Sequence, residues 1–497
     1  MAYFIITIGV VLLLLISIYK FIIAPAFLSP LSKIPNAHFS APLTSLWIQS
    51  KRRTCAATRT IYSLHQKHGP IVRLGPNELS ACTPNALKTI YIGGFAKDPW
   101  YLDAFVNYGE PNLVSMLEHK PHSVQKRMIS NLYSKSFLQS SVDLQKASNH
   151  LILERFLPIM QSVAENGLEM DVLDFFQGVG MDFTSAYLFG LSNGTNFMHN
   201  VDYRRHWIQE YQIFKERLPQ ERLGCEVEQW CMSMCKAAES FLHSDLAKQD
   251  PLATQPVVYG RLAHQFRESS KAADSQLEMA AVASEMLDHL IAGHETSGIT
   301  LSYLMHELSQ RPDLQQRLRN ELLTLSPPIV HPHDENAILP PPRCIDSLPL
   351  LDSILQETLR LYAAAPAIQA RITPYTPTGT TLEGYNNIPG GIRVAANAYT
   401  LHRNATVYPE PLKWIPERWL NAKPEQKEEM KRWFWAFGSG GRMCLGSNFA
   451  IQDMKLVAAA TYTNYTTEIV DDEGIEQADT YVSGPVGKKL ILRFKHV

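Results

Sequence analysis

Cys444 lies in the run Phe437-Gly-Ser-Gly-Gly-Arg442-Met-Cys444-Leu-Gly446, framed by four glycines, with an arginine two residues before it and a phenylalanine seven before it. Such a frame suits a thiolate held against haem iron. A thiolate donates electron density to iron and favours splitting of bound dioxygen, but an exposed one would protonate or oxidise, so the backbone must wrap it and aim N–H groups at sulfur. The glycines at 438, 440, 441 and 446 permit that wrapping. Residues 448–458 read as a helix, which places Cys444 near a helix N-terminus, where the dipole lowers a thiol pKa. A lone cysteine in a Gly-rich turn is more often a small core hydrophobe; the patterned positions around this one point the other way.

Other segments also carry polar groups at helical spacing. From about Leu277 to Ser309 there is no proline and apolar residues recur at helical intervals, which predicts a helix of about 50 Å at a rise of about 1.5 Å per residue. Within it, Ala292-Gly293-His294-Glu295-Thr296-Ser297 sets two small residues beside an acid and a hydroxyl. Gly293 costs such a helix about 1 kcal/mol relative to alanine, which is understandable if the backbone must open there. The plainer reading is a tolerated glycine and a threonine bonded to its own i−4 carbonyl. In 351–360, residues 351, 354 and 355 make an apolar face while Glu357 and Arg360 project together. Exposed, that pair is worth about 0.3–0.5 kcal/mol; buried, truncating one member would strand a charge at a cost of several kcal/mol. Pro416-Glu417-Arg418-Trp419 follows later, and His122 and Lys126 share a helical face just before Arg127.

Together these segments resemble the cytochrome P450 family over roughly residues 30 to 497. The Cys444 run fills every fixed position of the family's Phe-x-x-Gly-x-Arg-x-Cys-x-Gly signature. The resemblance implies that Cys444 is the axial ligand of haem b, with Phe437, Gly440, Arg442 and Gly446 around the cofactor. It gives Thr296 the hydroxyl that steadies bound, partly reduced dioxygen and relays protons, with Glu295 as the acidic partner linked to solvent. Small residues at 292 and 293 would leave room for dioxygen and substrate, and His294 falls at a variable position, off the iron. Glu357, Arg360 and Arg418 would join in a buried ion network that governs folding and haem retention. The family's Trp-x-x-x-Arg is replaced here by His122 and Lys126, a departure in which both side chains can still donate to a haem propionate. Arg371 is a second propionate candidate, or else an ordinary salt-bridge partner. Lys126, Arg127, Lys431, Arg432 and Arg442 would form a basic proximal face for an acidic electron donor.

The expected activity is that of a monooxygenase using O2 and electrons from NADPH through a separate reductase, with cytochrome b5 as a further donor, since the chain carries no flavin or nicotinamide fingerprint. It would hydroxylate, epoxidise or further oxidise a lipophilic small molecule, in the style of fungal specialised-metabolism members of the family. Isomerisation or dehydration without outside electrons, and a non-catalytic haem protein, are the alternatives; Thr296 and Glu295 argue against the first. Substrate-lining residues are expected in regions 95–120 and 190–220, after Arg360, and in 481–486.

The elements that must position these groups are mainly helical with small sheets, in a single catalytic domain. Strands are expected at 71–74, around 79–82, within 380–394 and at 489–494, with long helices from about 123 to 310. The first nineteen residues carry no charge and the apolar run continues to Ile23, long enough to span a bilayer. We read residues 1–24 as a transmembrane anchor, 25–45 as a stiff Pro-rich neck and 46–497 as the catalytic domain; a cleavable signal peptide is the rival reading of the first segment. Lys20, Lys33, Lys51, Arg52 and Arg53 all follow the run, so the expected arrangement is single-pass in the endoplasmic reticulum with a cytosolic body, leaving sequons at Asn193, Asn404 and Asn464 unused. A net charge of −2 shows no basic stripe for nucleic acid, and seven scattered cysteines are too few for a disulfide scaffold. Cys231 and Cys235 share a helical face and are expected to pack in the core.

Overall fold

The computed structural model describes residues 2–244, 253–269 and 275–497. It is mainly helical with three small sheets. Helix α1 (Ala2–Ile18) continues in wider turns through Tyr19–Leu28, with Pro25 inside them, and its large apolar side chains from Tyr3 to Leu28 are exposed. The stretch Tyr3–Leu28 is long and apolar enough to cross a bilayer.

The segment expected as a stiff neck packs on the body of the protein along part of its length. Pro30–Lys33 forms a 3-10 turn, and Leu31, Ile34 and Ala41 are buried in the body of the protein. Arg73, itself fully buried, binds the segment down: its guanidinium donates to the carbonyls of Pro25, Gly75 and Pro76, and its backbone pairs with Pro35 and Ala37. The Pro-rich segment is therefore a packed strap, because apolar residues between the prolines gain more from burial than from solvent.

Strands β1 (Ile71–Gly75), β2 (Glu78–Ala81) and β3 (Ala96–Lys97) precede the long helices, and β5 (Arg371–Ile372) and β8 (Arg393–Ala395) return to them, giving one sheet in the order β1-β2-β8-β5-β3. All its neighbours are antiparallel except β2 with β8. A hairpin of β6 (Thr380–Leu382) and β7 (Tyr385–Ile388), and a sheet β4-β10-β9 built from Glu169–Asp171, Ile491–His496 and Tyr465–Asp471, complete the strands. The strand at 465–471 was not foreseen, because its residues follow a helix without any turn residue between them.

The helices that carry the candidate site are α2 (His119–Ile129), α3 (Val172–Phe189), α4 (Val201–Glu216), α5 (Ser275–Ser309), α6 (Pro349–Leu361) and α7 (Ser447–Asn464). The main core lies between α3, α5, α6 and α7. Gly293 finds its reason in this core. A Cβ there would stand 2.2 Å from Thr184 Oγ1 of α3, and one on Gly180 would stand 3.1 Å from the Gly293 carbonyl. The glycine thus lets two buried helices touch; the sequence had suggested a place where the helix opens for dioxygen. Cys231 and Cys235 are buried as expected, and the Asn464 amide is buried with its NH2 donated to Ile329 and Ala460.

Candidate active site

The cysteine loop is built by short backbone bonds. Cys444 N–H donates to Phe437 O at 2.9 Å, Met443 N–H to Gly440 O at 3.1 Å and Gly438 N–H to Trp435 O at 3.1 Å. Gly440 has φ +70°, and a Cβ there would lie 2.5 Å from the Tyr91 carbonyl, so the left-handed turn and the close approach both need glycine. Gly446 closes the loop and caps α7, and its N–H points to the Cys444 sulfur. Lys126 Nζ fastens the loop from α2, donating to Gly441 O at 3.0 Å and Met443 O at 2.9 Å.

Cys444 is accessible to solvent, as is Ala292 midway along the otherwise buried middle of α5. The Cys444 thiol is nonetheless strongly desolvated by the protein around it. Burial, with Asp288 of α5 adding to it, raises the Cys444 pKa; the Gly446 N–H and Lys126 pull the other way without prevailing. The expected lowering by the helix dipole is therefore outweighed by desolvation, and it is a coordinated metal ion that would deprotonate the sulfur.

Several basic groups linked to this region are buried without a carboxylate bonded to them among the described residues. Lys97 and Arg371 are opposite one another in the β3–β5 register, with 7% and 5% of their surfaces exposed. Like charges directly opposite in a sheet are destabilising. Lys97 donates to the Leu113 and Val114 carbonyls; Arg371 donates to its own neighbour, Ala370, and lies over the rings of Tyr91 and Tyr101. Arg442 donates to Met116 and Leu117 carbonyls. His122 is buried, and burial together with Arg442, Lys97 and Lys126 pushes its pKa down to about 3. Burial, then Arg371 and Arg442, likewise lowers Lys97 well below the usual lysine range. None of these groups has a carboxylate among its hydrogen-bond partners in the described residues. The donor set fits a buried dianion, and a haem bearing two propionates beside a cysteine is such a group. Lys97 was not singled out from the sequence; a lone lysine in a two-residue strand gives no local signal.

On the distal side, Thr296 Oγ1 donates to Ala292 O at 2.8 Å, the plainer of the two geometries weighed for it. Glu295 is held by α4, accepting from Tyr211 Oη at 3.0 Å and pairing with Lys215 Nζ at 2.9 Å. Lys215 is partly exposed. His294 is buried and points the same way, its ring edge-on to Trp207 and Tyr211 and its Nδ1 on the Leu290 carbonyl; burial holds its pKa at about 4.

Behind the loop, Glu357 and Arg360 are both fully buried, 2.8 Å apart, and Arg418 Nε reaches Glu357 Oε1 at 2.9 Å. Trp419 Nε1 and the Ile415 N–H complete the carboxylate's shell. Arg360 in turn donates to the carbonyls of His402, Pro411 and Lys413, so the network locks the chain leading to the cysteine loop.

The four regions expected to line a substrate space converge in part. Trp100, Tyr101 and Phe105 pack with Tyr481, and Gln369 accepts from both Tyr101 and Tyr481 hydroxyls. The expected basic face is weaker than foreseen. Lys431 and Arg432 pair with Glu428 and Glu429 one turn away on their own helix, and Lys126 and Arg442 turn to internal carbonyls, leaving Arg127 as the exposed member without such a tie among the described residues.

A family model described as Cytochrome P450 matches residues 38–491. Among curated proteins, the chain is 29% identical to cytochrome P450 monooxygenase avaI of Aspergillus versicolor over 401 residues, covering 78% of this chain and 92% of that protein. It is 26% identical to cytochrome P450 monooxygenase orf2 of Aspergillus niger, covering 92% and 93%. Pisatin demethylase of Fusarium vanettenii is also 26% identical, with 89% and 86% covered.

Proposed function

The chain belongs to the cytochrome P450 family and is a haem-thiolate monooxygenase, and from that premise we propose that it takes electrons from NADPH through a separate reductase to oxygenate a lipophilic small molecule of fungal secondary metabolism. The observation that carries the reading is the pairing of the Cys444 loop with a buried set of basic groups that have no carboxylate among their hydrogen-bond or ion-pair partners in the described residues. When bound, haem b supplies activation of O2 and insertion of one oxygen atom into substrate.

The residues of the chain hold and serve that group. Cys444 would ligate the iron, with the Gly446 N–H steadying the sulfur and Lys126 fixing the loop. Lys97, Arg371, Arg442 and His122 would hold the propionates, while Lys126 donates to the loop carbonyls. Thr296 holds a hydroxyl on the distal face, its proton resting on Ala292 O and its oxygen free to accept another. Glu295 can pass a proton toward Thr296 only after leaving Tyr211 and Lys215. Both partners lie on α4, so displacement of α4 and release of the acid are one event. The aromatic group of Trp100, Tyr101, Phe105 and Tyr481 supplies apolar contact for substrate and excludes water.

The apolar N-terminal helix anchors the protein in the endoplasmic reticulum membrane in a single pass. Lys20, Lys33, Lys51, Arg52 and Arg53 follow it, favouring a cytosolic body. Cytochrome b5 is a further electron donor. Reconstitution with an NADPH–P450 reductase and extracts of candidate fungal hosts tests the reading: NADPH should be consumed in step with a metabolite gaining oxygen. Conversion of a metabolite with no NADPH dependence would overturn it.

A further inference from the structure

His331 and His333 stand in the loop that follows residue 326, and their rings turn toward each other, Nδ1 to Nδ1 at 3.1 Å. The loop around them is tied down. Asn464, the last residue of α7, accepts from the His331 N–H at 2.8 Å and donates its NH2 to Ile329 O, and farther along the Leu339 N–H donates to the Asn149 side chain. Both rings are partly exposed, so small solutes can reach the pair.

The groups on the far side of each ring decide where its hydrogen sits. Gln161, on the helix Leu157–Glu165, donates its NH2 to Glu165 Oε1 at 2.6 Å, which turns its amide oxygen toward His331 Nε2, also at 2.6 Å. An amide oxygen only accepts, so His331 Nε2 carries the hydrogen and the neutral ring presents a lone pair at Nδ1. His333 Nε2 lies 4.0 Å from the Glu154 carboxylate, which likewise favours hydrogen on Nε2 and a lone pair on Nδ1. Two lone pairs at that separation repel unless something lies between them. A hydrogen moved to His333 Nδ1 would bridge the rings, but it would leave the neutral His333 with a lone pair turned toward Glu154. A metal ion between the two Nδ1 atoms suits all four nitrogens at once.

The spacing agrees. Two nitrogens each about 2.0–2.1 Å from one zinc ion are ~2.9–3.4 Å apart for bond angles between ~90° and ~110°. Each ring also has the backing usual for a metal-bound imidazole, its second nitrogen facing an amide or carboxylate oxygen. Burial, then His333 and His496, lower the His331 pKa from its ordinary value, which keeps the ring neutral at pH 7 and able to ligate. His496 opposes a cation only when it is itself protonated, whereas Glu165 and Glu154 favour one. No cluster of three His, Cys, Asp or Glu suited to a metal occurs among the described residues, so water would fill the remaining positions around the ion.

We propose that His331 and His333 bind a divalent transition-metal ion of the zinc class through their Nδ1 atoms, with Gln161 and Glu154 orienting the rings. The site is independent of the monooxygenase reading, since none of its residues belongs to the Cys444 loop, the buried basic groups or the distal helix.

The test uses the holoenzyme without an affinity tag and Zn2+ as the only added metal, with bound zinc measured per chain after equilibrium dialysis at pH 7.5. The chain holds 17 histidines, so what is read is the tightest step and its loss, not total uptake. The wild type should show a first step of about one ion per chain. His331→Gln and His333→Gln should each remove that step. Gln161→Leu keeps both ligands and should bind about 10- to 100-fold more weakly, the usual effect of losing an outer partner. A normal thiolate band in the carbon monoxide spectrum shows that each variant is folded, and Gln161→Leu decides the matter where a histidine variant fails to fold. Absence of the step in the wild type, the same step in either histidine variant, or undiminished affinity in Gln161→Leu overturns the proposal.

Discussion

Lys97 and Arg371 face each other across the antiparallel pair β3–β5, two buried cations in register with no carboxylate bonded to either. A sheet gains nothing from such a pair in isolation, since like charges directly opposite repel. The arrangement becomes favourable when an anion with two carboxylates lies between them and Arg442. The cations are thus a feature of the loaded enzyme, and their cost falls on the protein without haem.

That relationship predicts opposite effects of one substitution. Lys97→Met should leave the haem-free protein as stable as wild type or more so, because a repelling buried charge is removed. The holoenzyme should lose haem about 10- to 100-fold faster, the range expected for losing a hydrogen bond to a charged group. Thermal melting of the haem-free form and the rate of haem transfer to apomyoglobin measure the two effects. A destabilised haem-free protein with unaltered haem transfer would contradict this account of Lys97.

Thr296 gives a second expectation. Its hydroxyl is bonded to Ala292 O, so Thr296→Ala removes a bond within the helix and a donor on the distal face together. Haem content and substrate binding should persist while reducing equivalents pass to hydrogen peroxide. Loss of a positioned proton donor is commonly worth about 10²–10⁴-fold in the dependent step, so product per NADPH should fall far more than NADPH consumption. Equal coupling in mutant and wild type would reduce Thr296 to a helix residue.

The groups that carry this chemistry differ in how plainly the sequence announced them. The Cys444 loop, the Glu357–Arg360 pair and helix α5 were legible, since each depends on spacings within one turn or one helix. Lys97, Arg371 and the aromatic group around Gln369 meet through sheet pairing and loops far apart in the chain, and no local pattern encodes that. Gly293 was read as an opening for dioxygen because a glycine in a helix signals a missing side chain without saying which neighbour needs the room. Thr184, on another helix, supplied the answer. Residues 25–45 were read as a stiff neck because prolines mark stiffness and say nothing of burial; Arg73 is what ties the segment down.

His402 gives a pH dependence whose sign can be worked out. Its Nδ1–H donates to Arg360 O at 2.8 Å and its Nε2 accepts from Trp435 N–H at 2.7 Å, so both ring nitrogens are used by the neutral form. Burial, with Arg360 and Arg403 adding, pushes its pKa from 6.5 to about 3. A depressed folded-state pKa means that the unfolded chain takes up a proton first. The contribution of His402 is therefore whole above pH 6.5 and lost progressively as pH falls toward 3. His402→Gln should lower stability at pH 7.5 by about 1–3 kcal/mol and flatten the decline between pH 6.5 and 4.5. Denaturant melts at several pH values would show it, and an unchanged slope in the variant would count against His402 as the titrating group.

The most direct measurement for the whole account is the absorption spectrum of the ferrous carbon monoxide complex. With Cys444 thiolate on the iron, the Soret band should lie at the red-shifted position that thiolate ligation produces. Cys444→Ala should abolish both that band and NADPH-dependent product formation. A Cys444→Ala protein that folds, binds haem and keeps the thiolate band would contradict the assignment on which every other role proposed for these residues depends.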